Sequence, residues 1–190
     1  MGNDVEVGQT KMQSEVWKVL EEDEYRKVWD QVYTDLDFYG RRGKDFAFKT
    51  PVDVYDISSS LVREDNEEIN EKIRLALIEC MKDDPYMYAL DWQHTGFRYN
   101  PRVIDNFEYP VFIKYKVPIK NEHAGWEGYN VWFPKFYSDG EYYFFIAKDF
   151  SWGYFTHTWF NKVYILGDFF RKRFKEIANE IGYIPCEYIE

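Results

Sequence analysis

Two stretches of this 190-residue chain carry side chains able to move a proton or hold a polar ligand. The first is Asp91-Trp92-Gln93-His94, and the second runs from Asp149 to Trp159 and holds His157. If the first lies on a strand, Asp91 and Gln93 share one face while Trp92 and His94 share the other. An imidazole is the side chain that titrates nearest neutrality, so His94 is a candidate general base or metal ligand. If the strands pair, His157 approaches His94, and Asp91, Asp149 or Glu141 orients an imidazole, the base–orienter arrangement that catalysis requires. The candidate catalytic set is therefore Asp91, His94, Asp149 and His157, with Trp92, Trp152 and Trp159 as pocket walls. The plainer expectation is that both histidines are buried polar groups hydrogen-bonded for folding alone.

Other chemistries find less support. The histidines at 94, 123 and 157 lack the i, i+2 or i, i+4 pairing of zinc ligands, and Cys80 and Cys186 lie far apart in sequence. No metal site and no cofactor are expected, although ligands can also assemble across strands. No Gly-x-Ser-x-Gly elbow, Walker loop or Gly-x-Gly-x-x-Gly occurs. Asp83-Asp84 and Glu21-Glu22-Asp23-Glu24 read as solvated faces or helix-dipole partners, since neighbouring carboxylates on one turn point in different directions. Arg171-Lys172-Arg173 with Lys175 forms the main basic patch, read as a solvated helix face. Candidate binding residues are Trp92, Gln93, Trp126, Trp132, Trp152 and Trp159, because exposed rings stack on ligands or anchor protein partners.

Composition narrows the class. With 24 Lys+Arg against 34 Asp+Glu, the formal net charge is −10. That balance disfavours nucleic acid and anionic membranes, whose binding rests on cationic contacts, and favours a basic partner. Aromatic residues make up 21% of the chain, far above disordered segments. At ~150–250 Å² buried per ring, they supply a large core and leave some rings to line a groove or an interface. Two cysteines make no disulfide framework. Residues 1–14 show no apolar signal region, and no apolar run reaches the ~18–20 residues that span a bilayer, so a cytoplasmic protein is expected.

The elements that must position these residues follow from periodicity. Residues 1–13 read as a flexible leader, and Ser14 as an N-cap before the anchor Trp17. Tyr25, Val28, Trp29, Val32, Tyr33 and Leu36 recur at helical steps. Phe46 to Ile57 is strand material interrupted by Pro51, which suits an edge strand. Ile69, Ile73, Ala76, Leu77 and Cys80 form the apolar face of a second helix, stopped by Asp83-Asp84-Pro85. Residues 86–93 and 111–117 alternate as strands. Residues 132–137 and 141–148 flank Ser138-Asp139-Gly140, a hairpin signal. Gly153 to Phe155 and Val163 to Leu166 follow, then a helix capped by Asp168 and stopped by Gly182. The expected fold is one α+β domain over 14–190: an antiparallel sheet of about five to six strands with helices packed on one face.

Three blocks carry a family resemblance. They are Tyr88-Ala89-Leu90-Asp91-Trp92-Gln93-His94 with Phe97-Arg98-Tyr99-Asn100-Pro101, then Trp132 to Tyr143, then Asp149 to Trp159. Together with Val28-Trp29-Asp30, they resemble the DUF2716 family of small uncharacterised bacterial proteins, over most of residues 15–175. The family pattern has proline after the last histidine where this chain has Thr158, so a rigid turn is not inferred there. The resemblance transfers no activity. The residues themselves favour a non-enzymatic protein-binding module, in one version an immunity- or antitoxin-like protein covering a basic partner. The alternative is a small hydrolase or transferase built on the histidine–aspartate set.

Overall fold

The computed structural model describes residues 6–7, 16–35, 46, 48–61, 66–92, 94–103, 111–114, 129–131, 133–137 and 140–187. The helices are α1 (Glu22–Asp35), α2 (Asn66–Met81) and α3 (Asp168–Ala178). The strands are β1 (Glu6–Val7), β2 (Trp17–Val19), β3 (Val52–Asp56), β4 (Met87–Asp91), β5 (Gly96–Tyr99), β6 (Val111–Lys114), β7 (Tyr129–Val131), β8 (Tyr143–Ile146), β9 (Gly153–His157), β10 (Lys162–Leu166) and β11 (Ile184–Cys186). Eight strands form one antiparallel sheet in the order β11-β3-β10-β9-β8-β4-β5-β2. A separate small sheet runs β1-β6-β7. Glu6–Val7 thus pairs with 113–114, while the rest of 1–13 lies outside the described residues.

The α+β class and the antiparallel sheet agree with the sequence pattern, but the main sheet has eight strands rather than five to six. The strands not anticipated are Trp17–Val19, Gly96–Tyr99 and Ile184–Cys186, three or four residues long and too short for periodicity to reveal. The first and last occupy the two edges, where short strands limit unwanted pairing. Ile184–Cys186 also covers β3, which is therefore internal; Pro51 ends just before the strand begins and interrupts nothing. The proline on the true edge is Pro185.

Helices pack on both faces, not one. Ile69, Ile73, Ala76 and Leu77 of α2 and Phe170, Phe174 and Ile177 of α3 share a core with Met87, Ala89, Tyr143, Phe145, Tyr154, Val163 and Ile165. Tyr25, Val28, Trp29 and Val32 of α1 share the other core with Tyr88, Leu90, Phe144, Ile146, Phe155, Tyr164 and Leu166. Successive strand residues alternate between the two, as pleating demands. Every position of β4, β8 and β9 is buried in consequence. Each buried ring contributes ~1.5–3 kcal/mol from area alone.

Charged contacts fix the helices in place. Arg98 on β5 donates to both carboxylate oxygens of Glu24 on α1, at 2.8 Å each, the bidentate geometry that adds direction as well as energy. Arg171 and Lys175 of α3 converge on Asp53 of β3 at 2.7 and 3.1 Å. Arg173 pairs with Glu79 of α2 at 2.6 Å. The basic patch expected to be a solvated face is instead largely spent clamping α3 to the sheet and to α2.

Local signals fared unevenly. Phe133–Tyr137 is irregular rather than a strand, and β8 pairs with β4 and β9, so among the described residues no hairpin joins 133–137 to β8. Phe133 and Phe136 pack onto the α2–α3 core instead. Ser14, Leu36, Ser138 and Asp139 lie outside the described residues. The N-cap of α3 is Gly167 with φ 86°, while Asp168 is the first helical residue and makes no capping bond. Gly182, with φ 76°, closes the turn after α3 as expected.

Gly167 sits where α3 presses on the β8–β9 turn. A Cβ there would meet the Trp152 Cβ at 2.5 Å and the Ser151 carbonyl oxygen at 2.7 Å. Gly140 has φ 119° but nothing within 4 Å of a Cβ. Gly167→Ala should cost about 2–4 kcal/mol, from backbone strain plus overpacking. Gly140→Ala should cost only the strain, about 1 kcal/mol. Urea midpoints of the two variants check the difference, and equal losses would contradict this account of α3 docking.

Candidate functional site

The antiparallel register gathers chemistry at opposite ends of the large sheet. At one end lie the close of β4, the start of β8 and the close of β9, because Asp91 pairs opposite Tyr143 and Phe144 opposite Phe155. At the other end, Met81 closes α2, residues 147–152 link β8 to β9, and Gly167 leads into α3.

The first end holds Asp91, His94 and Glu141. Residues 91–95 form a tight turn in which the His94 amide donates to the Asp91 carbonyl and the Asp91 amide to the Thr95 carbonyl. That turn folds His94 back over the end of its own strand. Its Nδ1 lies 3.1 Å from Asp91 Oδ1 and 3.9 Å from Glu141 Oε2. One ligand atom from each of the three residues lies within 4.8 Å of the others. Asp91 is buried at 5% exposure, while the side chains of His94 and Glu141 are about half exposed. Chemically, this is one imidazole and two carboxylates on a rigid strand end, suited to orienting a proton or ligating a divalent ion.

His157 is not part of that group. The Tyr143 amide donates to Thr156 Oγ1 at 2.9 Å, so Thr156 stands on the Asp91 face and His157 on the opposite one. The His157 ring is 1% exposed and packs among Phe46 at 4.5 Å, Phe160 at 4.6 Å and Tyr142 at 5.1 Å. Such surroundings suit a core histidine. Asp149 lies at the far end of β8, in the turn before β9. Its carboxylate accepts from the Ser151 hydroxyl at 2.6 Å and from the Ser151 amide at 3.1 Å. Those two bonds hold its carboxyl below the usual aspartate range. The four candidate catalytic residues therefore separate into the Asp91–His94 pair, a core His157 and a turn-forming Asp149.

The candidate binding residues also scatter. Trp92 donates through Nε1 to the Tyr33 hydroxyl at 3.0 Å and meets Tyr142 edge-on, bridging α1 to the sheet. Trp159 is 60% exposed in the turn between β9 and β10. Gln93, Trp126 and Trp132 lie outside the described residues, as does His123.

Trp152 stands at the second end, edge-on to Phe170 at 5.5 Å. There it borders an open cleft of about 500 Å³. Asp83 and Asp84 after α2, Asp149 in the β8–β9 turn and Asp168 at the start of α3 all line it, with Lys82 as a lone cation among them. The 57%-exposed Phe169 forms an apolar lip. The sequence pattern reads Asp83-Asp84 as a solvated face or helix-dipole partner. The missing signal was topological: three acidic turns far apart in sequence meet only when β4, β8 and β10 align.

Cys80 lies on the floor of this cleft, and burial pushes its thiol up to about 12. At about pH 8 it should remain a thiol and react slowly with a disulfide reagent. The half-buried Cys186 should react first. One fast and one slow equivalent per folded chain, becoming two fast equivalents in denaturant, is the expected stopped-flow result.

Comparison with known proteins agrees with the resemblance read in the sequence. The uncharacterised protein YxiI of Bacillus subtilis (strain 168) is 25% identical over 161 residues, spanning 80% of this chain and 88% of that one. No solved structure matches the chain. The model of a family described as "Protein of unknown function (DUF2716)" matches residues 19–118 and 115–169. These matches take in α1, both edges of the Asp91–His94–Glu141 cluster and the Asp149 turn, and on them the chain belongs to the DUF2716 family.

Proposed function

We propose that this protein is a non-enzymatic binding module whose partner is a basic protein, held through the acidic cleft at the α2–α3 end of the sheet. The observation that carries the proposal is the convergence of Asp83, Asp84, Asp149 and Asp168 around one open depression edged by Trp152 and Phe169. Carboxylates steer and orient a Lys- or Arg-bearing segment, while an aromatic lip supplies the apolar anchor that makes such contact specific. The hydrogen bonds from Ser151 keep Asp149 ionised into mildly acidic conditions. The net charge of −10 adds long-range attraction for a cationic surface. An immunity- or antitoxin-like protein that shields a cationic toxin is the concrete form of this reading. The cations of α3 are engaged by Asp53 and Glu79, which supports a partner other than nucleic acid. Among the described residues no helix is long and apolar enough to cross a membrane.

The rival reading, a small hydrolase or transferase, rests on the 3.1 Å contact between His94 and Asp91. It retains a base and its orienter but loses His157 and Asp149, and neither histidine lines the 500 Å³ cleft.

The experiment compares wild-type protein with the variant D83N/D84N/D149N/D168N, whose cleft carboxylates are replaced by amides, as bait for the native lysate at low salt. Wild type should retain a cationic protein at one-to-one stoichiometry. With each rim charge contributing roughly 0.2–1 kcal/mol, removing four should weaken binding of that partner by about 4-fold at the least. Salt at about 0.5 M should release it, since screening reaches only a few ångströms there. A partner retained equally by the variant, or no stoichiometric partner at all, would overturn the proposal.

A further inference from the structure

The cluster at the other end of the sheet is independent of the cleft. We infer that Asp91, His94 and Glu141 form a binding site for a single divalent transition-metal ion, with redox-inert Zn2+ as the probe.

The geometry points to a shared ion. Ligand atoms bound to zinc at about 2.0–2.2 Å stand roughly 3.0–3.5 Å from one another in octahedral or tetrahedral arrangements. His94 Nδ1 is 3.1 Å from Asp91 Oδ1 and 3.9 Å from Glu141 Oε2, with all three atoms within 4.8 Å. Only the Glu141 carboxylate must draw in, and its half-exposed side chain has room to rotate. Asp91 is already placed: it ends β4 opposite Tyr143, and the 91–95 turn fixes His94 three residues on. Asp91 therefore sits on a paired strand, and the His94 amide bond to its carbonyl keeps the imidazole beside it, which lowers the ordering cost of binding.

The donor set also selects the ion. One imidazole nitrogen with two carboxylate oxygens suits zinc or manganese better than the all-oxygen shells of calcium and magnesium. Two carboxylates neutralise a divalent charge, and the buried Asp91 gains most, because charge is dear away from water. Three protein ligands leave a coordination position open to solvent, the arrangement that distinguishes reactive zinc sites from closed structural ones. Sequence spacing hides the site: Glu141 reaches the pair only through the β4–β8 register.

Without a metal, the same atoms would make only a hydrogen-bonded pair of His94 and Asp91 beside Glu141, and the two arrangements predict different results. Full-length, chelator-treated protein is titrated with Zn2+ by calorimetry, and stoichiometry is read by native mass spectrometry. Wild type should take up one ion with a Kd at or below about 10 µM, weakening as pH falls from about 7.5 to about 5.5 and protons compete for the imidazole. Removing even an outer-shell partner costs about 10- to 100-fold in affinity, so His94→Ala and Glu141→Gln should each lose at least about 100-fold. Both positions are half exposed, so the variants should keep the circular dichroism of the wild type; Asp91→Asn serves as a third arm read only if it folds. Zinc should also raise the wild-type Tm and leave that of His94→Ala unmoved. Failure of wild type to bind, or equal binding by both variants, would overturn the site in favour of the metal-free pair or of an ion held elsewhere.

Discussion

The register of four adjacent strands is the constraint on which everything else rests. Asp91 opposite Tyr143, Phe144 opposite Phe155 and Tyr164 opposite Phe155 send successive residues to two different cores. A slip of one residue would exchange the faces of a whole strand. Phe144 and Phe155 would then leave the α1 side, Phe145 and Tyr154 would leave the α2–α3 side, and the Asp91–His94 pair would lose Glu141. Rings on both sides make such a slip costly: Phe144 meets Trp29 at 5.5 Å on one face, while Phe145 meets Phe136 at 4.6 Å on the other. A central sheet covered on both faces explains why most of the rings among the described residues are kept from water.

Charge is organised around that core. The arginines best placed to form a cationic surface are held by carboxylates of other elements: Arg98 by Glu24, Arg171 by Asp53, Arg173 by Glu79. These pairs add little energy individually when half exposed. Their value is directional, because each joins a helix to a strand or to another helix. What is left over is an acidic excess, and part of it meets at the cleft beside Trp152 and Phe169. The cleft itself depends on Gly167, since only a residue without a side chain lets α3 begin against Ser151 and Trp152.

The two ends of the sheet thereby acquire different characters. One presents several carboxylates in a wide depression, which suits a large cationic surface. The other presents a compact nitrogen-and-oxygen set on a rigid strand end, which suits a small ion. His157 closes β9 at this latter end yet is a packing residue on the other face of the sheet, stacked on Phe160 at 4.6 Å.

The sequence by itself determined the class, the three helical faces and the family. Helical spacing in Tyr25 to Val32, Ile69 to Cys80 and Phe170 to Ile177 is local information, carried by residues within a turn or two of one another. It did not join Asp91 to His94: read as one strand, the segment puts them on opposite faces, and the turn after β4 is what brings them together. The number of strands was not legible, because three-residue strands such as Trp17–Val19 have no period to detect and form only against a neighbour. The second helical face was not legible either: Tyr88, Leu90 and Trp92 read as one side of a strand whether helix or water lies beyond. Only tertiary structure moved His157 away from His94, brought Glu141 to it, and joined Asp83, Asp84, Asp149 and Asp168. Those outcomes depend on which strand pairs with which and in what register, a choice made by long-range burial rather than by any residue's neighbours in sequence.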